Sequence, residues 1–408
     1  MKVLQICNKS PYPPKEGGPI AMNAIIDAII DAGFVIKVLA ISTPKYYVKK
    51  EDIPADYLKK TSLELIHLDT TIKILPVLQC FLQNKSYHIE RFISNNFSKL
   101  LHDVLTNETF DIIQIETIYM SPYIDLVKQL APNSVIILRA HNIEHLIWER
   151  ILNDIHNPVK KFYLRHLLKQ LKNYEINILK KFDAIAAISD IDAEFFKKYA
   201  NGKPVFTIPF NLSTNIPDNV VEFEKRRLAL FYIGSMNWLP NVEGVRWFLK
   251  KVWPNVSEKN DKVTIEIAGR NIPQWLYKYN DNENIIIKGE IEDAFRYMEQ
   301  FQIMVVPLLS GSGIRIKIIE GMAMGNVIIT TTIGAEGINY KNKENILIAD
   351  TPSEFVEAIL WCFNNQDKLK LISERARKLA LTQHSLKYVS TKIIEFYTQI
   401  IAKHNSKN

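Results

Sequence analysis

The chain contains 408 residues, of which 47% are hydrophobic and 23% are charged. This balance excludes a disordered or fibrous protein, and no run approaches the ~18 apolar residues of a membrane-spanning helix. The first apolar run is too short for the core of a signal peptide, and three scattered cysteines exclude a disulfide framework, so a cytoplasmic location is expected. The net charge of +7 favours an anionic partner, whether phosphate, nucleic acid or an anionic membrane face.

The first half of the chain alternates strand-like and helix-like segments. Apolar runs predict strands at Lys2–Cys7, Phe34–Ile41, Leu63–Leu68, Asp111–Glu116, Ser134–Ala140 and Ala184–Ser189. A helical pattern covers Ile20–Ala32 and ends at Gly33. Strands separated by helices predict βαβ units and a parallel, doubly wound sheet.

The second half repeats this plan. Its predicted strands are Leu228–Ile233, Thr264–Ala268, Ile285–Lys288, Met304–Pro307 and Val327–Thr331, and its predicted helices include Val242–Trp253, Ala294–Gln300 and Ile314–Met324. A segment rich in proline and asparagine, residues 208–217, predicts the connection between the halves.

The predicted fold class is therefore α/β, with two Rossmann-like doubly wound domains that face a central cleft. The predicted domains are residues 1–209 and 210–390, followed by a helical tail at 391–408 that could pack on either domain. In such sheets, ligands bind at the carboxyl ends of the strands.

Glycine placement points to the chemistry, because ten of the fourteen glycines fall between Gly234 and Gly337. Gly311 and Gly313 lie between a strand and a helix, where backbone N–H groups and the helix N-terminus attract anions. Arg315 and Lys317 follow at once, although cations are unfavourable at that end of a helix. We interpret the segment as a phosphate or diphosphate site, and a structural turn with two solvated cations is the alternative. Neither GxxxxGK[ST] nor a complete GxGxxG is present.

Glu320 is a lone carboxylate in the apolar helix that follows. It is either an exposed surface residue or a hydrogen-bond acceptor for hydroxyls such as a ribose diol.

Residues 305–325, from Val305 to Gly325, resemble the nucleotide-binding motif of retaining GT-B glycosyltransferases, the large family 4 or group 1 type. The segments 232–244, 268–270, 288–290 and 327–338 are also similar to that family in order, and the resemblance covers nearly all of residues 1–390. It implies transfer of a sugar from a nucleotide diphosphate-sugar to a glycan or lipid-linked acceptor, with retention, in cell-surface polysaccharide or glycoconjugate synthesis. It also implies front-face attack, in which the leaving phosphate takes the proton of the acceptor.

The resemblance implies specific roles. Glu320 would hold the ribose, whereas the first glutamate of the family's E-x7-E pattern would fall at Ser312, which leaves the donor sugar open. Residues 234–244 lack the basic pair that many relatives carry, so Arg315 and Lys317 would neutralise the diphosphate. The donor-binding set is Gly17, Gly18, Gly234, Ser235, Gly311, Ser312, Gly313, Ile314 and Glu320, and the nucleobase-side set is Gly269, Arg270, Lys288, Gly289 and Glu290.

Two features of the first half join this site. Gly17 and Gly18 lie in a loop after the first strand. This loop is either a plain turn or, as the resemblance implies, a loop that approaches the donor phosphates or the acceptor. His141 directly follows the strand Ser134–Ala140, at the sheet edge where ligands bind. The resemblance implies that His141 contacts the donor sugar, so the predicted catalytic residues are His141, Arg315 and Lys317.

Competing motifs are weaker. His141–His145 satisfies the H-x-x-E-H zinc pattern, but His141 follows a strand, so the two histidines should not share a helix face. Asp190 and Asp192 form D-x-D and are interpreted as an acidic first turn after the helix cap Ser189. We expect no metal and no cofactor beyond the nucleotide-sugar co-substrate, in keeping with the metal-independent family.

The basic segment Lys160–Lys181 is interpreted as a solvated helix face or, alternatively, as a contact with an anionic membrane, which would make the protein peripheral on the inner face of the cell membrane. Nucleic-acid binding is not expected, since no known module matches. A sugar-nucleotide epimerase on the same fold and a non-catalytic nucleotide-sugar-binding protein remain alternative functions.

Overall fold

The computed structural model describes residues 1–153, 155, 157–212, 216–217, 219–311 and 313–406. It divides into two compact units. The first comprises Met1–Asn211 together with Leu386–Asn408, and the second comprises Leu212–Ser385.

The first unit contains a seven-stranded parallel sheet in the order β3-β2-β1-β4-β5-β6-β7. Its strands are β1 (Lys2–Cys7), β2 (Val35–Ser42), β3 (Glu64–His67), β4 (Ile112–Glu116), β5 (Val135–Ala140), β6 (Ala184–Ala187) and β7 (Val205–Thr207). Its helices up to the connection are α1 (Gly17–Asp31), α2 (Ala55–Thr61), α3 (Ile74–Leu82), α4 (Tyr87–Glu90), α5 (Asn95–Asn107), α6 (Ile124–Leu130), α7 (Glu144–Asn153), α8 (Pro158–Ile178) and α9 (Asp190–Tyr199).

The second unit contains a six-stranded parallel sheet in the order β10-β9-β8-β11-β12-β13. Its strands are β8 (Arg227–Ile233), β9 (Ile265–Ala268), β10 (Ile285–Gly289), β11 (Phe301–Val306), β12 (Val327–Thr330) and β13 (Leu347–Ile348). Its helices are α10 (Leu239–Trp247), α11 (Trp253–Lys259), α12 (Gln274–Tyr277), α13 (Ala294–Met298), α14 (Ile316–Ala323), α15 (Pro352–Asn364) and α16 (Gln366–Gln383). Short 3-10 turns in the two units lie at Pro44–Tyr46, Lys50–Asp52, Ile118–Tyr123, Leu179–Lys181, Phe223–Lys225 and Lys278–Asp281.

The central strands are apolar on both faces because helices cover both sides of each sheet. In β1, Leu4 and Ile6 pack in one cluster while Val3 packs in the cluster on the opposite face. This explains why the strands appear as continuous apolar runs, with parallel pairing in both sheets.

The last helix, α17 (Leu386–Asn405), belongs to the first unit, although it follows the second in sequence. Its apolar side packs beside α1, where Ile393 and Phe396 join the cluster that contains Met22. The Tyr397 hydroxyl also donates to Gln114 Oε1 at 2.8 Å. The sequence placed residues 210–390 in one domain and 391–408 in a separate tail; in the structure the division follows Asn211, and the chain returns to the first unit at Leu386.

Local departures from the predicted elements have simple causes. Strands β7 and β13 were not predicted, because they hold three and two residues. The predicted helix Val242–Trp253 instead consists of α10, a π-helical segment at Phe248–Val252 and the start of α11. None of the helices in the described part of the chain is long and apolar enough to cross a membrane.

Candidate active site

The carboxyl edge of the second sheet is built on glycines. Gly234, Gly269 and Gly289 lie at the ends of β8, β9 and β10, and the Gly269 amide donates to the Gly289 carbonyl at 2.7 Å. Gly269 has φ +146°, and a Cβ there would lie 1.8 Å from the Gly234 carbonyl oxygen. Only glycine fits such an approach, so the three strand ends form a close-packed backbone surface.

Lys317 brings a cation to this edge from the first turn of α14. Its Nζ donates to the Tyr232 hydroxyl at 3.0 Å and to Asn241 Oδ1 at 2.8 Å. The same Nζ lies 3.0 Å from where a Cβ on Gly234 would be. Burial, followed by the nearby charge of Arg315, lowers the Lys317 pKa to about 7. Since both of these hydrogen-bond partners are neutral, an anion bound here would restore the full charge of Lys317.

The glycine loop before α14 is held by Arg315. Gly311 and Gly313 have φ of +117° and +78°, a conformation that favours glycine. The Arg315 side chain is buried, its guanidinium donates to the Gly313 carbonyl, and it lies 5.5 Å from the centroid of the Trp238 ring. The Arg315 side chain therefore lies inside the loop, where it holds (braces) the backbone at Gly313, instead of on the surface beside the loop. Its contact with a diphosphate stays a prediction.

Two other residues of this loop, Ile314 and Ser312, were predicted to bind the donor. Ile314 is half-buried between the glycine turn and α14. Ser312 lies outside the described residues.

Glu320 lies three residues after Lys317, so the two side chains share a face of α14. Its carboxylate is half-buried, and burial raises its pKa to about 7. Among the residues that the structure describes, none is hydrogen-bonded to this carboxylate. An acceptor that is desolvated without a donor is suited to ligand hydroxyls.

On the predicted nucleobase side, Arg270 Nε forms an ion pair with Glu290 Oε1 at 2.8 Å. Lys288 is exposed, and its Nζ lies 4.0 Å from Glu266 Oε2. Ser235, which follows Gly234, is held through its backbone, because its carbonyl accepts a hydrogen bond from Asn241 Nδ2 at 2.7 Å.

In the first unit, His141 directly follows β5 at the carboxyl edge of the sheet. Its Nε2 lies 2.5 Å from Glu116 Oε2, and Gln114 Nε2 donates to Glu116 Oε1 at 2.7 Å. Tyr397 donates in turn to Gln114, so a buried chain of polar side chains fixes the His141 ring. Glu116 was not predicted as a site residue, although it is a carboxylate that ends β4, the strand beside the one that precedes His141.

A second set of polar side chains lies at this edge, and one of them, Lys9, approaches Gly18. Lys9 Nζ lies 2.9 Å from where a Cβ on Gly18 would be, and burial lowers the pKa of Lys9. Glu144, whose charge opposes that lowering, accepts a hydrogen bond from the Tyr119 hydroxyl at 2.7 Å. Burial and the charge of Glu175 raise the Glu144 pKa to about 7. Lys9, Tyr119 and Glu144 were also missed, because only the fold brings them together.

Gly17 and Gly18 were predicted to lie in a loop, and this was wrong: they are the first two residues of α1. The preceding segment ends at Glu16, whose extended backbone precedes the helix. A Cβ on Gly17 would meet nothing within 4 Å, whereas Gly18 is approached by Lys9.

The H-x-x-E-H and D-x-D segments, the two competing motifs, have structural roles in the fold. His141 lies outside α7 and contacts Glu116, whereas His145 lies within α7 and its Nδ1 is 2.6 Å from Glu175 Oε2. The prediction that the two histidines would not share a helix face is thus confirmed. Ser189 caps α9 and accepts a hydrogen bond from the Asp192 amide, which confirms the interpretation of D-x-D as a helix start.

The strand ends, the glycine loop and the two charged residues of α14 thus gather on one edge of the second unit. Residues 227–365, which contain this edge, match the family described as "Glycosyl transferases group 1". The second unit is a group 1 glycosyltransferase domain. The prediction of a group 1 glycosyltransferase is confirmed.

Solved structures share the fold of the whole chain with this glycosyltransferase. It is similar to sucrose-phosphate synthase from Thermosynechococcus elongatus, with a TM-score of 0.71 and 13% identity over 99% of this chain and 100% of that chain. It is also similar to a variant of S. aureus TarM in complex with Fondaparinux, alpha-GlcNAc-glycerol and UDP, with a TM-score of 0.67 and 14% identity over 97% of this chain and 100% of that chain. The predicted fold class, two doubly wound α/β domains of the GT-B type, is confirmed.

Two further proteins are similar to this chain. HepE of Anabaena in complex with UDP-glucose aligns with a TM-score of 0.62 and 12% identity over 98% of this chain and 100% of that chain. An uncharacterized 44.6 kDa protein in the cps region of Klebsiella pneumoniae is 22% identical, over 97% of this chain and 99% of the relative.

Proposed function

We propose that this glycosyltransferase moves a sugar from a nucleoside diphosphate donor to a hydroxyl of a glycan or lipid-linked acceptor, with retention at the anomeric carbon. The observation that carries the proposal is the position of the Lys317 ammonium beside Gly234. Its hydrogen-bond partners, Tyr232 and Asn241, are neutral, and burial disfavours its charged form. A diphosphate is a ligand that such a cation at the carboxyl edge of a doubly wound sheet would bind.

The remaining roles follow from position. The amides of Gly311 and Gly313, in the loop braced by Arg315, donate to the leaving diphosphate, and Glu320 accepts from the ribose hydroxyls. His141 contacts the transferred sugar. Gly17, Gly18, Gly234, Ser235 and Ile314 approach the donor through their backbone, and Gly269, Arg270, Lys288, Gly289 and Glu290 lie on the side of the nucleobase.

The chemistry is a substitution at one carbon. The bond between the anomeric carbon and the diphosphate oxygen breaks, and the acceptor hydroxyl attacks from the same face while its proton passes to the departing phosphate. Lys317 and the loop amides stabilise the charge that develops on that phosphate. Because these groups carry the charge, the proposal includes no metal and no cofactor besides the donor.

Uridine diphosphate-sugars are the first donors to test, because HepE was solved with UDP-glucose and TarM with UDP. The relative in a cps region supports a role in cell-surface polysaccharide synthesis. The proposal places the reaction in the cytoplasm, where nucleotide-sugars are supplied.

The test is incubation of the purified protein with labelled nucleotide-sugars, with and without glycan or lipid-linked acceptors. We expect label in a new glycoside, unchanged by EDTA, with the anomeric configuration of the donor by NMR. Epimerised donor without an acceptor would indicate an epimerase instead. Donor binding without turnover across the acceptor panel would indicate a non-catalytic binding protein, and an inverted product would contradict retention.

A further inference from the structure

Helix α3 exposes an apolar face. Residues 74–82 contain no charged side chain, and four of them that share one side of the helix are open to solvent: Ile74 (83% exposed), Leu75 (73%), Leu78 (53%) and Leu82 (76%). Ile72, just before the helix, is 76% exposed. Globular proteins rarely leave a contiguous apolar face uncovered unless it binds something.

Helix α8 lies directly against α3. The Phe81 ring is 4.3 Å from the His166 ring and 6.4 Å from the Tyr163 ring between centroids. Gln170 Nε2 also donates to the Cys80 carbonyl at 3.5 Å. These contacts fix the exposed face of α3 beside the exposed side of α8, where Phe162 is 70% exposed.

The adjoining side of α8 is cationic. Between residues 158 and 174 the sequence has no acidic residue, and it supplies five cations: Lys160, Lys161, Arg165, Lys169 and Lys172. Phe162, Arg165 and Lys169 follow the i, i+3, i+7 spacing of one helix face. No salt bridge joins any of the five cations to a carboxylate within the described residues.

The acidic residues nearby are already engaged. Glu175, the first acid along α8, is buried and accepts from His145. On the flanks of α3, Asp69 pairs with Lys73 at 3.0 Å and Glu90 pairs with Lys85 at 3.8 Å. The surface therefore combines exposed aliphatic side chains with a cluster of unneutralised cations.

We propose that this surface, α3 together with the side of α8 that contains Phe162, Arg165 and Lys169, docks the enzyme on an anionic lipid bilayer. The aliphatic side chains of α3 enter the acyl boundary, and the cations of α8 contact headgroup phosphates. Apolar insertion beside cations matches the interface of an anionic bilayer, and α3 is too short to span one. The proposal goes beyond sugar transfer and does not depend on it.

The test is flotation of the full chain with vesicles of phosphatidylcholine that contain about one-third phosphatidylglycerol, against pure phosphatidylcholine. The wild type is expected to float with the anionic vesicles and to be released by added salt. The double variant Arg165→Glu, Lys169→Glu is expected to lose at least about 25-fold in affinity, because each cation near the surface contributes roughly fivefold. Leu75→Gln, Leu78→Gln is expected to lose at least about tenfold, since each buried leucine contributes on that scale.

The matched control changes a leucine and a lysine that are exposed in the second unit, Leu371→Gln with Lys250→Glu. It should float like the wild type, and all three double variants should transfer sugar to a water-soluble acceptor at the wild-type rate. That second readout separates failure of docking from failure of the transferase.

Equal flotation of all variants, or no flotation of the wild type, would overturn the proposal. So would sedimentation velocity showing a dimer that Leu75→Gln, Leu78→Gln abolishes, because a second copy of the chain would then be the occupant of the face.

Discussion

The carboxyl edges of the two sheets differ in whether their charged side chains have partners of opposite charge or hydrogen-bonding partners within the protein. In the first unit, His141 contacts Glu116, His145 contacts Glu175 and Glu144 accepts from Tyr119, so the polar groups satisfy one another. In the second unit, Lys317 has neutral partners, and burial brings its pKa and that of Glu320 to about 7.

The difference teaches what each edge is prepared for. A network that is satisfied internally orients a side chain without needing a ligand. Lys317 and Glu320 are each partly removed from water without an oppositely charged partner in the described part of the chain. A ligand that supplies an anion to the lysine and hydroxyl donors to the glutamate would therefore stabilise their charged forms. Lys9 and Glu144 are features of the first edge that resemble the second, because burial lowers the pKa of Lys9 and raises that of Glu144 to about 7.

The largest expected effect comes from removing the cation of the second edge. Lys317→Met should lower kcat/KM for the donor by about 10²–10³-fold, the scale observed when one donor to a developing anion is removed. Steady-state kinetics with a donor that the labelled nucleotide-sugar screen shows to be used would measure this. Lys341→Met, at an exposed lysine of the same unit, is the control and should stay near wild type. Near-normal turnover in Lys317→Met would remove the basis for the proposed diphosphate site.

A smaller effect is expected at the first edge, where the network orients one side chain. His141→Ala should lower kcat by about 10²-fold, within the range for a group that acts on the reacting centre. Glu116→Gln keeps the shape but removes the charge, and it should cost about tenfold, as loss of an orienting partner commonly does.

The control for this pair is His102→Ala, an exposed histidine. Circular dichroism would show that the variants are folded. If Glu116→Gln were as damaging as His141→Ala in kcat, Glu116 would have a role beyond orienting the imidazole.

The pH dependence of nucleoside diphosphate binding tests the second edge directly. Lys317 binds the anion as the cation, so its contribution falls about tenfold per pH unit above its pKa of about 7. Glu320 accepts from hydroxyls best as the carboxylate, so its contribution falls below its pKa of about 7. The two slopes oppose each other, and the wild type should show a shallow optimum near neutral pH.

Two variants separate the slopes in calorimetric titrations between about pH 5.5 and 8.5. With Glu320→Gln the affinity should fall steadily above pH 7, whereas with Lys317→Met a weaker affinity should improve as the pH rises through 7. Parallel profiles in the two variants would show that these side chains do not contact the ligand.

The smallest expected effect is on stability. The folded-state pKa of Lys317, about 7, lies below the ordinary value of 10.5, so the folded chain binds fewer protons between these values and its stability rises with pH there. Lys317→Met should therefore raise Tm most below pH 7 and least near pH 10, by about 2–4 °C per kcal/mol gained. Differential scanning calorimetry at pH 6 and 9 would measure this, and a lower Tm in the variant would indicate that the lysine stabilises the ligand-free fold.

The sequence by itself determined the fold class and most of the elements. Continuous apolar runs of four to eight residues predict strands that are buried on both faces, and this holds for β1, β4, β5 and β6 because local composition and the fold agree. The glycine pattern around Gly311 and Gly313 likewise located the loop at the second edge, since positive φ restricts the residue type.

Only the tertiary structure decided the partners. That Lys317 would meet Tyr232 and Asn241, or His141 would meet Glu116, depends on strand order, which brings together residues 25 to 85 positions apart. Tertiary packing also turned Arg315 inward as a brace, returned α17 to the first unit and left the face of α3 uncovered. Burial and charge environment arise from atoms that are distant in sequence, and for this reason no local pattern encodes them.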